Sequence, residues 1–231
     1  MEAQLVELRG VGKSFGGPAG GTAVKVFEGI DMTVARGETV AVVGPSGSGK
    51  SSLLNLIGGL DQATSGEVLF EGELLADKNP DQLATLRSEK IGFVFQAHHL
   101  LPQCSALENV LVPTLARRGR ASADLEQRAR TLLDRVGLGP RVDHRPGQLS
   151  GGECQRVAFV RAWIYKPVLV VADEPTGALD RDTADELSEL LLEWNREEGA
   201  ALLVVTHSQR LAQRMGRVLT LERGNLTASG A

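Results

Sequence analysis

Short apolar runs alternate with amphipathic stretches along this chain, and the alternation predicts an α/β fold. The β-rich runs cover residues 6–11, 30–34, 39–43, 68–70, 91–95, 168–172 and 202–206. The runs 39–43 and 168–172 are apolar almost throughout, as strands of a parallel sheet covered on both faces should be. Strands that alternate with helices in this way favour a doubly covered sheet over a sandwich or a helical bundle.

Helical periodicity is clearest at two places. One pattern lies behind a possible Ser122 cap and ends at Gly137; it comprises Leu125, Ala129, Leu132, Leu133 and Val136. The other follows a predicted capping box of Thr183 and Glu186; it comprises Leu187, Leu190, Leu191 and Trp194. Residues 97–166 are almost wholly helical in pattern, so we predict a helical subdomain inserted into one sheet-bearing domain of residues 1–96 and 167–231.

The glycines at 37, 66 and 72 mark turns in the first part of the chain, which predicts that this region is antiparallel. The glycine-rich stretch 16–21 is expected to be a loop tip.

Composition limits the classes of function. The net charge is −4 and no basic patch occurs, which argues against a nucleic-acid partner. Cys104 and Cys154 have no CxxC or histidine-rich neighbours, so neither a zinc site nor a disulfide framework is expected, and a reducing cytosolic compartment follows. No apolar run approaches the roughly 20 residues of a spanning helix, and the start lacks the features of a signal peptide.

The strongest local motif is the segment 44–51, Gly-Pro-Ser-Gly-Ser-Gly-Lys-Ser, between an apolar strand and a helical run. It matches the phosphate-binding pattern GxxxxGK[ST], in which glycines let consecutive backbone N–H groups point at phosphates. Lys50 supplies a charge to the β and γ phosphates, and the Ser51 hydroxyl is suited to Mg2+. Alone, the motif would fit a kinase, a GTPase or a RecA-like motor equally well.

Two adjacent carboxylates, Asp173 and Glu174, end an apolar strand. Asp173 is suited to the Mg2+ shell and Glu174 to polarising the attacking water. By itself, a polar turn of residues 173–175 in which Pro175 ends the strand is the better explanation of the pair. The next strand along the chain delivers His207 at its carboxyl end, where parallel sheets bind ligands, and this favours a site.

Residues 149–153, Leu-Ser-Gly-Gly-Glu, begin a helix with the capping box of Ser150 and Glu153. Two glycines in the first turn expose its N–H groups to an anion, so this helix start resembles a second phosphate site. One nucleotide cannot occupy both sites of one chain. The sequence therefore predicts that ATP bridges the phosphate loop of one protomer and the capped helix of another.

Together, these motifs resemble the ATP-binding cassette family in identity, order and spacing, from about Leu5 to Leu226. The likeness rests on 44–51, Gln96, 149–153, 173–174, 178–180 and His207. It implies a P-loop NTPase fold with a RecA-like core, an antiparallel β subdomain and the helical subdomain that carries 149–153. It also implies ATP and Mg2+ as cofactors, ATP hydrolysis coupled to transport, and a homodimer that encloses ATP.

The resemblance assigns three groups of residues. The catalytic group is Lys50, Gln96, Glu174 and His207. The nucleotide contacts are Phe15, Gly44, Pro45, Ser46, Gly47, Ser48, Gly49, Lys50, Ser51, Ser52, Ser150, Gly151, Gly152, Glu153 and Asp180. The Mg2+ ligands are Ser51, Gln96 and Asp173. Phe15 would stack on adenine, although a core phenylalanine at the end of the first strand is nearly as well supported.

Finer features resemble the subgroup of cassette ATPases that serves lipoprotein release and macrolide export. Lipoprotein release from the inner membrane is the predicted role, with macrolide-type export or a cell-division role as alternatives. Membrane subunits are expected to dock near residues 96–102, with the chain peripheral on the cytoplasmic side and Leu100 in the contact. Without the resemblance, local packing of Leu100 and Leu101 explains this apolar segment equally well. Cys154, Ala178 and Ser208 depart from the subgroup's usual residues. A ribosome- or DNA-acting cassette protein and a single-site kinase are the competing classes; the latter has no use for residues 150–153.

Overall fold

Two β-sheets organise the structure, a computed structural model that describes residues 4–16, 23–117 and 122–228. The first sheet has the order β2-β1-β4-β5 and is antiparallel, as predicted. Its strands are β1 (Gln4–Phe15), β2 (Val24–Ala35), β4 (Ser65–Phe70) and β5 (Glu73–Leu74). The glycine-rich stretch 16–21 lies, apart from Gly16, outside the described residues.

The second sheet has the order β10-β9-β3-β8-β7-β6 and is parallel except for the β9–β10 hairpin. Its strands are β3 (Thr39–Val43), β6 (Ile91–Phe95), β7 (Leu169–Asp173), β8 (Ala201–Val205), β9 (Arg217–Glu222) and β10 (Asn225–Ala228). Every residue of β8 is buried, which explains its unbroken apolar run. The predicted strands 168–172 and 202–206 are each displaced by one residue from the observed β7 and β8.

Seven α-helices occur in the described ranges. They are α1 (Lys50–Ile57), α2 (Pro80–Lys90), α3 (Ala106–Leu111), α4 (Ala123–Arg135), α5 (Gly151–Trp163), α6 (Arg181–Glu198) and α7 (Gln209–Ala212). None of them combines the length and apolarity that a bilayer-spanning segment needs. The predicted start of α4 is confirmed, because the Ser122 hydroxyl accepts a hydrogen bond from the N–H of Leu125.

The predicted capping box of Thr183 and Glu186 is wrong. The N-cap of α6 is Asp180, whose carboxylate accepts hydrogen bonds from the Thr183 N–H at 3.1 Å and the Thr183 hydroxyl at 2.8 Å. These bonds lower the pKa of Asp180. Asp180 accepts a hydrogen bond from a backbone N–H of the first turn that has no partner within the helix. The helix therefore begins at Arg181, and Thr183 lies inside it.

Between β6 and β7, the described residues form helices and 3-10 turns and no strand. Helices α3, α4 and α5 pack on one another around a shared apolar cluster. Leu100 belongs to this cluster and is buried, whereas its neighbour Leu101 is 38% exposed. The expectation that Leu100 contacts a membrane partner is therefore wrong, since its side chain is already covered by its own chain. The boundaries of the helical subdomain stay a prediction.

Candidate active site

The carboxyl ends of four neighbouring parallel strands meet at one edge of the larger sheet. In register, Val42 of β3 pairs with Val205 of β8, Val205 with Asp173 of β7, and Asp173 with Phe95 of β6. The residues that follow these strands therefore share that edge; they are Gly44, Gln96, Glu174 and His207. Ligands of open α/β sheets bind at this edge, so the sheet assembles the predicted motifs from four distant parts of the chain.

The phosphate loop curls where only glycine can stand. Gly44 has φ 151°, and a Cβ on it would lie 2.2 Å from the carbonyl oxygen of Leu221. Gly49 has φ 99°, and its Cβ would lie 2.4 Å from Val26 Cγ1. Lys50 is buried within the curl, and its Nζ donates to the carbonyls of Gly44 and Pro45 at 3.0 Å each. The Lys50 ammonium is thus held at the start of α1. The backbone N–H groups of the first turn of a helix have no partner within the helix, so they can also bind an anion there.

The polar groups beside the loop fit a phosphate–Mg2+ ligand. Ser48 Oγ is buried without a hydrogen-bond partner, which is the state expected of a group that needs a ligand atom. Ser51 and Gln96 are exposed and Asp173 is partly buried, so hydroxyl, amide and carboxylate oxygens remain accessible. Mg2+ prefers such oxygens and retains waters and phosphates in its shell. No group of three or more His, Cys, Asp and Glu side chains suited to a metal occurs in the described ranges.

Glu174 leaves the strand in a left-handed conformation, with φ 45°. Its N–H still donates to Val205 O at 2.9 Å, and its Oε2 accepts from the His207 N–H at 3.1 Å. The side chain is 15% exposed, and Oε1 lies 3.3 Å from His207 Nε2. That contact is not aligned as a hydrogen bond, so Oε1 is buried with no such bond. This oxygen therefore has unused hydrogen-bonding capacity, as expected of a group that accepts a proton from a bound water.

Gln96 and Glu174 both lie close to Gly177. A Cβ on Gly177 would lie 3.3 Å from Gln96 Nε2 and 3.4 Å from Glu174 Cβ. A Cβ at position 177 would therefore be in van der Waals contact with Glu174 and slightly too close to the amide end of Gln96. The geometry brings the predicted γ-phosphate sensor and the predicted base together, although they are 78 positions apart in the sequence.

The predicted cap of α5 is present. Ser150 Oγ accepts from the Glu153 N–H at 3.2 Å, and Glu153 Oε2 accepts from the Ser150 N–H at 2.7 Å. The latter bond lowers the pKa of Glu153, and Arg141 lies 3.7 Å from its other oxygen. The Glu153 carboxylate is thus engaged in capping the N-terminus of α5. Space around Gly151 is open, with no atom within 4 Å of its Cβ position, so the helix start can receive an anion.

Phe15 is 48% exposed, so the alternative of a core phenylalanine is wrong. Lys13 Nζ lies 4.9 Å from the centre of its ring. That ammonium is fixed by Asp61 Oδ1 at 2.7 Å and by the Gln62 carbonyl at 2.9 Å. An exposed ring held on a rigid strand can stack on a base, which keeps the predicted adenine contact open.

A cavity of about 690 Å³ borders the outer side of the phosphate loop. It is lined by the start of β2, the loop residues 45–48 and the β9–β10 turn. The sequence did not indicate the participation of this turn. It also did not indicate Gln155, a buried amide on α5 that contacts the strand ends near both Gln96 and Glu174. The sole signal in the sequence is a glutamine among the apolar residues of that helix.

Comparisons with known proteins agree with this geometry. The family model described as ABC transporter matches residues 27–177. The lipoprotein-releasing system ATP-binding protein LolD of Legionella pneumophila (strain Lens) is 49% identical over 209 residues, or 90% of this chain and 92% of that protein. LolD of Anaeromyxobacter dehalogenans (strain 2CP-C) is 51% identical over 225 residues, or 97% of this chain and 93% of that protein.

Among solved structures, the ATP-binding cassette MJ0796, a dimer in a post-hydrolysis state bound to ADP and Pi, matches with a TM-score of 0.88. It is 38% identical, and the match covers 98% of this chain and 100% of that one. A second dimeric structure of the same cassette matches equally well. The strand order, the phosphate loop and these likenesses agree, and the chain belongs to the ABC transporter family of ATP-binding cassette ATPases.

Proposed function

We propose that two copies of this chain enclose ATP and Mg2+, hydrolyse the ATP, and thereby drive a membrane transporter that releases lipoproteins from the inner membrane. The observation that carries the ATPase part is the meeting of the phosphate loop, Gln96, Glu174 and His207 at one sheet edge. The transport part is supported by relatives of about 50% identity named for lipoprotein release.

Each side chain has a distinct task in this proposal. Lys50 and the loop N–H groups bind the β and γ phosphates, and Phe15 stacks on the base. Ser51, Gln96 and Asp173 would hold Mg2+, which neutralises charge on the phosphates when bound. Glu174 takes a proton from the attacking water, and the backbone N–H of His207, rather than its side chain, donates to the Glu174 carboxylate and keeps it oriented.

The second copy supplies the anion-binding start of α5. Ser150, Gly151 and Gly152 have no phosphate within their own chain to bind, and the dimeric ADP–Pi form of the related cassette supports a nucleotide between two copies. Asp180 caps α6 beside this region, since Gly152 packs against Thr183. Both sites of the dimer are then composite.

For the membrane subunit we propose an apolar groove of about 470 Å³ that adjoins residues 96–102. Its lining includes Leu60, Phe93, Phe95, His99, Pro113 and Arg161. Leu60 is 46% exposed although it is a large apolar residue, and a surface of this kind favours a protein contact. We infer that the docked chain is a peripheral subunit at the cytoplasmic side of the inner membrane.

Leu60→Glu is expected to remove membrane recruitment and to leave ATP hydrolysis by the isolated subunit unchanged. A carboxylate buried in an apolar contact costs several kcal/mol, or about a hundredfold or more in affinity. The measurement is co-purification from membranes with identification of the membrane subunits by mass spectrometry. Thr227→Glu is the matched control, because it adds the same charge at an exposed position of β10. This strand lies at one edge of the larger sheet, whereas the groove is lined by β6 at the other edge.

Wild-type co-purification of Leu60→Glu would contradict this docking surface. The transported substrate is tested separately, by reconstituting the recovered complex in proteoliposomes loaded with a lipoprotein. ATP-dependent release of the lipoprotein is expected. ATP turnover without release would leave the ATPase proposal standing and reject the lipoprotein substrate.

A further inference from the structure

A buried amide joins three of the motifs at the candidate active site. Gln155 lies in α5 and is 3% exposed. Its Nε2 donates to the carbonyl of Phe95 at 2.9 Å and to the carbonyl of Pro175 at 3.0 Å. Both protons of the amide nitrogen are therefore used, and they bind backbone atoms of two different segments.

The two carbonyl groups that accept from Gln155 lie next to residues of the candidate active site. Phe95 directly precedes Gln96, and Pro175 directly follows Glu174. Phe95 and Asp173 are register partners on adjacent strands, so the amide bridges neighbouring segments at the same sheet edge. Its own helix starts at Gly151, about 6 Å away along the axis at 1.5 Å per residue. Gln155 thus links the capped helix start to the segments that carry Gln96 and Glu174.

A second contact ties the same helix to the segment after Gln96. Arg161 donates from its guanidinium to the carbonyls of His98 and His99, each at 2.8 Å. Gln155 and Arg161 lie six residues apart on α5 and hold residues 95–99 at both ends. Helix α5 is therefore tied to this segment by hydrogen bonds from two side chains.

We propose that Gln155 is a positioning residue that couples the two ATP sites of the dimer. The inference rests on the proposed function and deepens it. In that arrangement, the start of α5 binds the nucleotide held by the other copy, whereas Gln96 and Glu174 act on the nucleotide of their own chain. A shift of α5 on nucleotide binding is then transmitted to the base and sensor of the neighbouring site through the Gln155 amide, which is the one contact of the two that reaches the segment after Glu174.

Loss of the amide should impair turnover and coupling rather than ATP binding. Gln155→Met keeps an unbranched side chain of similar length without the two donors. Its kcat is expected to fall about a hundredfold, as for a misplacement of about 1 Å in a preorganised site. The KM for ATP should stay within about threefold, since the phosphate loop is untouched. The Hill coefficient for ATP should fall toward one.

Asn195→Leu is the matched control. Asn195 is also a buried amide, and its Nδ2 donates to the carbonyls of Gly37 and Ala200 at 3.2 and 2.5 Å. Its loss should lower the Tm by a similar amount and leave kcat per folded molecule and the Hill coefficient unchanged. The side chain of Gln155→Asn is too short for its amide to reach both carbonyls, so this variant should have an intermediate kcat. It replaces Gln155→Met in the experiment if Gln155→Met folds poorly.

The experiment compares steady-state ATP hydrolysis and thermal unfolding of the full-length wild type and these variants. The proposal is overturned if both Gln155 variants keep the wild-type kcat and Hill coefficient, or if Asn195→Leu loses kcat to the same extent. A wild-type chain that does not hydrolyse ATP would instead reject the proposed function, which is a separate outcome.

Discussion

Glu174→Gln is expected to bind ATP normally and to hydrolyse it about a thousandfold more slowly, within the range that a general base contributes. The amide keeps the shape of Glu174 and can still accept the His207 N–H, but it cannot take a proton from water. With hydrolysis blocked, the ATP-bound pair should persist. Size-exclusion chromatography with light scattering should then give twice the 24.6 kDa of one chain.

Glu198→Gln is the control for this substitution. Glu198 is similarly buried, with a side chain 21% exposed, and it pairs with Arg128 away from the sheet edge. Its replacement should leave turnover at the wild-type level and give no ATP-bound dimer that persists through size-exclusion chromatography. Near-normal steady-state hydrolysis by Glu174→Gln would reject Glu174 as the base.

Ser150→Arg and Lys50→Ala are each expected to abolish hydrolysis, and mixing the two variants should restore it in part. Ser150→Arg places a bulky side chain at the anion-binding helix start and leaves the phosphate loop of its own chain intact. Lys50→Ala removes the ammonium held by Gly44 and Pro45 and leaves the helix start intact. A mixed dimer has one composite site made of the two intact halves. Random mixing should therefore give at most about a quarter of wild-type activity, since half of the dimers are mixed and each has one intact site; coupling between the two sites lowers this value.

Loss of the helix cap itself must be separated from loss of the phosphate contact, because an N-cap is worth about 1 kcal/mol. Ser105→Arg is the matched control, since Ser105 and Glu108 form the same capping box at the start of α3. It should lose similar stability and retain hydrolysis in the isolated subunit. Mixtures that stay as inactive as the parents, although heterodimers form, would reject the shared site.

The sequence predicted the site better than it predicted the contacts between motifs. The phosphate loop is recognisable in the sequence because a Cβ at Gly44 or Gly49 would collide with neighbouring atoms. Glycine is therefore required at both positions, and their spacing in the sequence is fixed by the shape of the loop. The meeting of Glu174 and His207 followed from a simple rule, because parallel strands place their carboxyl ends at one edge. Gln96 was assigned through the family resemblance alone. The roles of these residues stay proposals.

The features that the sequence did not predict depend on contacts between distant parts of the chain. Leu100 and Leu101 are adjacent leucines, and only the packing of α3 to α5 decides which of them is buried. Helix α2 was not predicted because Leu86 is the sole buried residue on it, so it lacks an apolar stripe. Asp180 and Thr183 are both suitable caps by residue type, and the choice depends on where the chain leaves the preceding turn.

Cross-linking between two copies tests the shared ATP site most directly. Ser46→Cys and Gly151→Cys are made in separate chains in which Cys104 and Cys154 are replaced by alanine. Ser46 is exposed, and Gly151 has open space for a side chain. In a mixture that also carries Glu174→Gln, a short bifunctional thiol reagent should link the two kinds of chain when ATP and Mg2+ are present and not when they are absent. If both thiols react with a monofunctional reagent but no ATP-dependent link forms between chains, the nucleotide is not shared and the account is contradicted.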